Sequence, residues 1–133
     1  MTSAKDVCER FVDNALAVLT SIGRDKFRFI NFAFDLTLMC DCVANPGMPV
    51  VPDLGILGSK DPVALDKACI DLEIMAPGLP TMKATGKWNE ALPAGVEKFS
   101  ILNPIMKDAN ADYQFNAAVK NNLGSLEYEL KKI

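Results

Sequence analysis

Hydrophobic positions recur at helical spacing through the first twenty-two residues. Val7, Phe11, Ala15, Val18 and Ile22 fall on one stripe, widened by Cys8, Val12 and Leu19, and Lys5, Glu9, Arg10 and Asp13 are left toward water. Ser3 supplies a cap, Asp6 sits near the positive end of the helix dipole, and Gly23 stops the run. The period then changes. Phe27-Arg28-Phe29-Ile30-Asn31-Phe32-Ala33-Phe34 is aromatic-rich and bounded by charge, which predicts a strand mostly buried on both faces. Asp53 to Leu57 predicts a short second strand. Gly58, Ser59 and Lys60 turn the chain into a helix with Asp61 as cap and Pro62 at its first position. Leu65, Ala68, Leu72 and Met75 form the stripe it should bury, and Pro77-Gly78 ends it.

Residues 77 to 95 are punctuated by Pro and Gly and predict irregular structure with Trp88 as the one large anchor. A short helix is expected from Val96 to Leu102, and a longer one from Asp112 to Leu123, stopped by Gly124. The tail Leu126-Glu127-Tyr128-Glu129-Leu130 alternates apolar and charged residues, the pattern of a half-exposed strand. The expected architecture is α/β: a single small domain over residues 1–133, with a short mixed sheet packed by about four helices.

Composition agrees with one soluble domain. The chain has 133 residues, of which 50% are hydrophobic and 23% charged, enough to bury a core without staples. Fourteen basic residues against seventeen acidic ones give −3, so the chain has no electrostatic footprint for nucleic acid. It has no histidine. That removes every Ser-His and Cys-His nucleophile pair, and any metal must be held by Cys, Asp, Glu, Asn or backbone oxygen. The polar amino terminus is no secretory signal. The most apolar stretch, Phe27 to Cys42, is broken by Arg28, Asn31, Asp35 and Asp41 and is not a membrane span. Four cysteines without a signal point to a reducing compartment, and the expected location is the cytoplasm.

Candidate chemistry concentrates between Asp35 and Pro52, a stretch long for a structureless loop. Cys40-Asp41-Cys42 places two thiols at i and i+2, where side chains of an extended segment share a face. Three readings stay open: loop thiols with no ligand, ligands to a metal or iron–sulfur centre, and a redox pair. Asp35, Asp41 and Asp53 are possible supporting carboxylates that favour cations. Closed zinc sites and common clusters need four ligands, so the rest would come from a second subunit, another segment or carboxylates. Cys8 and Cys69 sit beside apolar stripes and are expected to pack as small hydrophobes. Gly58, Ser59 and Lys60 at a strand-to-helix turn form a weak anion-binding candidate. That turn lacks phosphate-loop and dinucleotide spacings, and a plain βα turn is the simpler reading. No assembled catalytic constellation is visible, and an enzyme built on Asp35, Asp53 and Lys60 has nothing further behind it.

These residues carry a family resemblance. Asn31-Phe32, Asp35, Cys40-Asp41-Cys42, Val51-Pro52-Asp53-Leu54-Gly55-Ile56-Leu57 and Ser59-Lys60-Asp61-Pro62-Val63-Ala64-Leu65-Asp66-Lys67-Ala68 resemble the carboxy-terminal part of the domain of unknown function family 362. Ala76-Pro77-Gly78 and Leu123-Gly124-Ser125 with Glu127-Tyr128-Glu129-Leu130 are similar to the same family. The resemblance implies an iron–sulfur association, since many members carry a separate ferredoxin-like four-cysteine motif. This chain departs there, having no C-x2-C-x2-C run. Members are usually much longer, so the chain looks like a fragment, one domain or half of a split protein. The leading expectation is a domain that binds a metal or iron–sulfur centre through Cys40 and Cys42. The alternative is a non-catalytic interaction domain with an incidental cysteine pair. A surface left apolar for a partner segment or a second copy predicts self-association, most simply as a two-fold dimer.

Overall fold

The computed structural model describes residues 3–40, 42–103 and 110–133. It is a mixed α/β structure whose described residues form four α-helices and two small two-stranded sheets. They fall into two compact units. The first comprises Met1–Asn31, Leu57–Ala68 and Asp108–Ile133, and the second Phe32–Ile56 and Cys69–Lys107.

The first unit is built on α1 (Ala4–Ile22) packed against α4 (Ala111–Lys120). Ser3 and Asp6 close a reciprocal capping box, each side chain accepting from the other's amide at 3.1 Å. The Ser3 hydroxyl and amide hold the Asp6 carboxyl below its ordinary range. Gly23, at φ 103°, returns its N–H to Leu19 O. The packed face differs from the predicted stripe. Val12 and Leu19 are buried, with Cys8 and Leu16 half-buried beside them, whereas Val7, Phe11, Val18 and Ile22 are exposed. Two apolar stripes run side by side on this helix, and α4 covers only one. α4 starts at an Asn110 cap and contributes Phe115, Ala117 and Ala118 to the core. It stops at Lys120, three residues earlier than expected, and Asn122 rather than Gly124 takes the left-handed conformation at φ 54°.

Strands β1 (Phe29–Ala33) and β2 (Gly55–Ser59) pair with each other. Leu54 N–H donates to Ala33 O, and Gly58 lies against the Phe29 carbonyl, so the strands run in opposite directions. β1 is not covered on both faces: Ala33 is buried, while Ile30 and Phe32 are more than 60% exposed. Helix α2 (Pro62–Met75) buries Leu65 and Ala68 of its expected stripe, and Val63 and Ala64 besides, with Leu72 half-buried. At its far end the stripe fails, since Met75 is exposed and Glu73 is buried.

The second unit has its own core, Val50, Val51 and Leu102, with Leu36, Leu38, Leu54, Leu92 and Phe99 packed against it. Residues 77–95 are not wholly irregular. β3 (Thr81–Met82) and β4 (Trp88–Asn89) pair antiparallel around a turn at Gly86, and Trp88 is over half exposed on this hairpin rather than an anchor in the core. Helix α3 is confined to Phe99–Leu102. The tail at Leu126–Leu130 pairs with no strand among the described residues. Alternation reports the period of an extended segment, and a ladder also needs a neighbour.

Candidate functional site

The segment from Asp35 to Pro52 is ordered by its own backbone. Val50 N–H donates to Leu36 O at 2.8 Å, Thr37 bridges Pro49, and Met39 N–H donates to Pro46 O at 3.1 Å. Leu79 N–H adds a bond to Val50 O, and Asn103 Nδ2 reaches Met39 Sδ. The excursion is thus an irregular hairpin seated on Val50 and Val51, and no ion is needed to hold it. Its composition hid this, because Pro49 forms the bridge to Thr37 without needing a donor and Gly47 takes up the turn at φ 97°.

Cys40 and Cys42 lie at the hairpin tip, both exposed. Val43 N–H donates to Cys40 O at 3.0 Å, closing a turn, and Cys42 N–H donates to Cys40 Sγ at 3.4 Å. Asp53 sits at the hairpin's base, where Oδ1 accepts from Asp35 N–H at 3.2 Å, with Asp35 at φ 47°. Asp41 lies outside the described residues. No three of Cys, Asp, Glu or His gather to hold an ion among the described residues. Among the described residues the two thiols therefore do not make up a closed four-ligand cluster. Cys8 and Cys69 are half-buried in their helices.

At the β2–α2 turn the helix amides are already in use. Val63 and Ala64 N–H both donate to Asp61 Oδ1, at 2.8 and 3.0 Å, and Asp61 N–H donates to Ser59 Oγ. Asp61 Oδ2 also accepts from Ser125 N–H at 2.8 Å, tying the segment after α4 to the start of α2. Gly124 passes so close that a Cβ would run into the Asp61 carboxylate and the Val63 side chain. Gly58 and Lys60 are exposed beside this turn. Lys60 belongs to the first unit, whereas Asp35 and Asp53 belong to the second.

The first unit carries a groove of about 730 Å³ walled by Phe11, Val18, Phe27, Phe29 and Phe115, with Asp66 as the one ionisable side chain in its lining among the described residues. Asp66 accepts from Asn31 Nδ2 at 2.9 Å, and burial raises its carboxyl above the ordinary range despite that bond. The volume lies in the range of small-molecule and peptide sites.

A second feature was not legible as a site in the sequence. In the second unit Lys98 is fully buried and its Nζ donates to Glu73 O, Ile74 O and Val96 O. The ammonium thereby caps the last carbonyls of α2. Glu73 is 1% exposed and, among the described residues, neither carboxylate oxygen has a hydrogen-bond partner. Burial pushes its carboxyl up to about 7, against the pull of Lys98 and with a push from Glu97. The available signal was slight: the apolar residues of α2 are not confined to one stripe, so a charge on it can face inward as Glu73 does, while Asp66, Lys67 and Asp71 stay half-buried.

The model of a family described as Domain of unknown function (DUF362) matches residues 2–71, just over half of the chain. That span includes α1, the thiol hairpin and the Asp61 turn. No curated protein and no solved structure matches the chain. Among the described residues no helix is long and apolar enough to cross a membrane.

Proposed function

This chain belongs to the domain of unknown function family DUF362, and on that premise we propose that it works as a non-catalytic assembly domain, in the cytoplasm, through the open apolar face of its first unit. The observation that carries this reading is α1. Its second apolar stripe, Val7, Phe11, Val18 and Ile22, is 41–64% exposed, and Phe11 and Val18 line the groove. A contiguous apolar surface of this kind is costly in water and marks an interaction site. The titratable groups do not argue for catalysis: Asp53 serves the hairpin base, Asp61 caps the start of α2, and Lys98 caps its end. An environment-sensitive apolar dye should fluoresce on the dilute chain, and Val18→Asp should weaken that signal severalfold. Equal dye binding by both proteins would remove the α1 face as the surface responsible.

The exposed thiol pair at the hairpin tip supports a second reading, in which Cys40 and Cys42 give two ligands to a metal or iron–sulfur centre completed by another chain. Metal analysis and an absorbance spectrum of anaerobically purified protein test it. Less than half an equivalent of bound metal per chain, with no charge-transfer band, would dismiss it.

A further inference from the structure

We propose that the occupant of the α1 face is a second copy of this chain, packed α1 against α1 in antiparallel fashion about a two-fold axis beside Asn14 and Ala15. The inference rests on the assembly reading above and names its partner. The exposed stripe is close to symmetric along the helix. From either end it runs through two large apolar residues, a small centre and two large apolar residues: Val7, Phe11, Asn14-Ala15, Val18, Ile22. Antiparallel pairing about that centre sets Phe11 on the partner's Val18, Val7 on the partner's Ile22, and small side chains at the crossing, where backbones approach most closely. Parallel pairing would instead stack Phe11 on Phe11 over the same spot. An isologous interface requires self-complementarity of this kind.

Antiparallel packing also opposes the two helix dipoles. With 19 residues, α1 is about 28 Å long, room for all four large residues of each copy to be covered.

Sedimentation equilibrium on the full chain tests the proposal with three proteins besides the parent: Phe11→Asp, Val18→Lys and the double variant. The parent should form a reversible dimer. Each single change should raise the dissociation constant at least tenfold, and the double variant should recover to within a few-fold of the parent, because each new Asp then faces a Lys across the axis. The two positions are a full seven residues apart on one helix, so the rescue cannot arise within a chain. A double variant weaker than either single one overturns the antiparallel pairing. Both sites are exposed, and unfolding midpoints verify that the variants fold. Ala15→Phe gives an independent check that keeps the face apolar: overfilling the crossing should weaken the dimer tenfold, and a dimer left unchanged or tightened counts against it. A parent that stays monomeric while an apolar dye binds it in a Val18-dependent way sinks the second-copy proposal alone. A monomer that binds no dye sinks the assembly reading as well.

Discussion

Replacing Glu73 with Gln should abolish a specific component of the pH dependence of stability. The carboxyl ordinarily titrates at 4.5 and is raised to about 7 in the folded chain, chiefly by burial, with Glu97 adding to the rise and Lys98 opposing it. The folded state therefore binds the proton more tightly than the unfolded state. Below pH 4.5 both states are protonated and the group costs nothing. As pH rises toward 7 the unfolded chain gains the freedom to ionise and the folded chain resists, so stability is lost through that window and the loss is constant above it. At 1.36 kcal/mol per pH unit of separation, the full penalty is about 3 kcal/mol. Other carboxylates, such as Asp6, titrate with the opposite sign, so the difference between parent and variant is the quantity to follow. Urea unfolding of both proteins from pH 4 to 8 should give a difference curve that is small at pH 4 and rises to about 3 kcal/mol in favour of the Glu73→Gln variant. A flat difference curve would mean that Glu73 is solvated or finds a partner in solution, and the reasoning from its burial would be refuted.

Gly124→Ala should destabilise by about 1–3 kcal/mol, because its Cβ must displace the Asp61 carboxylate and the Val63 side chain; thermal unfolding reads this. Asp61→Ala removes a helix cap worth ~1 kcal/mol and the tie to Ser125 N–H in the same step, so a loss of about 2 kcal/mol is expected. A loss well under 1 kcal/mol would show that water replaces the carboxylate. Cys40→Ser and Cys42→Ser should leave the unfolding free energy within about 0.5 kcal/mol, since neither side chain is buried. In the parent these two thiols should react with a thiol reagent well before Cys8 and Cys69, and uniform labelling of all four would contradict the burial described.

Local signals carried much of the fold. Ser3 with Asp6, and Asp61 with Pro62, mark helix starts that form as expected, because capping needs only residues within one turn. Decisions that depended on a distant neighbour were not local. The two apolar stripes of α1 look alike in sequence, and only α4 selects Val12 and Leu19 over Phe11 and Val18. The alternating tail at 126–130 has the period of a strand and joins no sheet among the described residues. For the candidate site, the thiol pair was visible from its spacing, while its setting at the tip of a self-held hairpin was not. Glu73 and Lys98 were missed because a charge in sequence is read as exposed, whereas Lys98 is held inside by the carbonyls of Glu73, Ile74 and Val96, which lie far from it or outside any sequence pattern.

The account turns on whether α1's open stripe is covered in the working protein, and hydroxyl-radical footprinting across a concentration series reads this directly. Phe11 should be oxidised readily at micromolar concentration and become protected as concentration rises, while the exposed Trp88 in the other unit keeps a constant rate and serves as the reference. Phe11 oxidation that stays in fixed proportion to Trp88 from micromolar to millimolar chain would show the stripe open at every concentration, and the second-copy assembly would be contradicted.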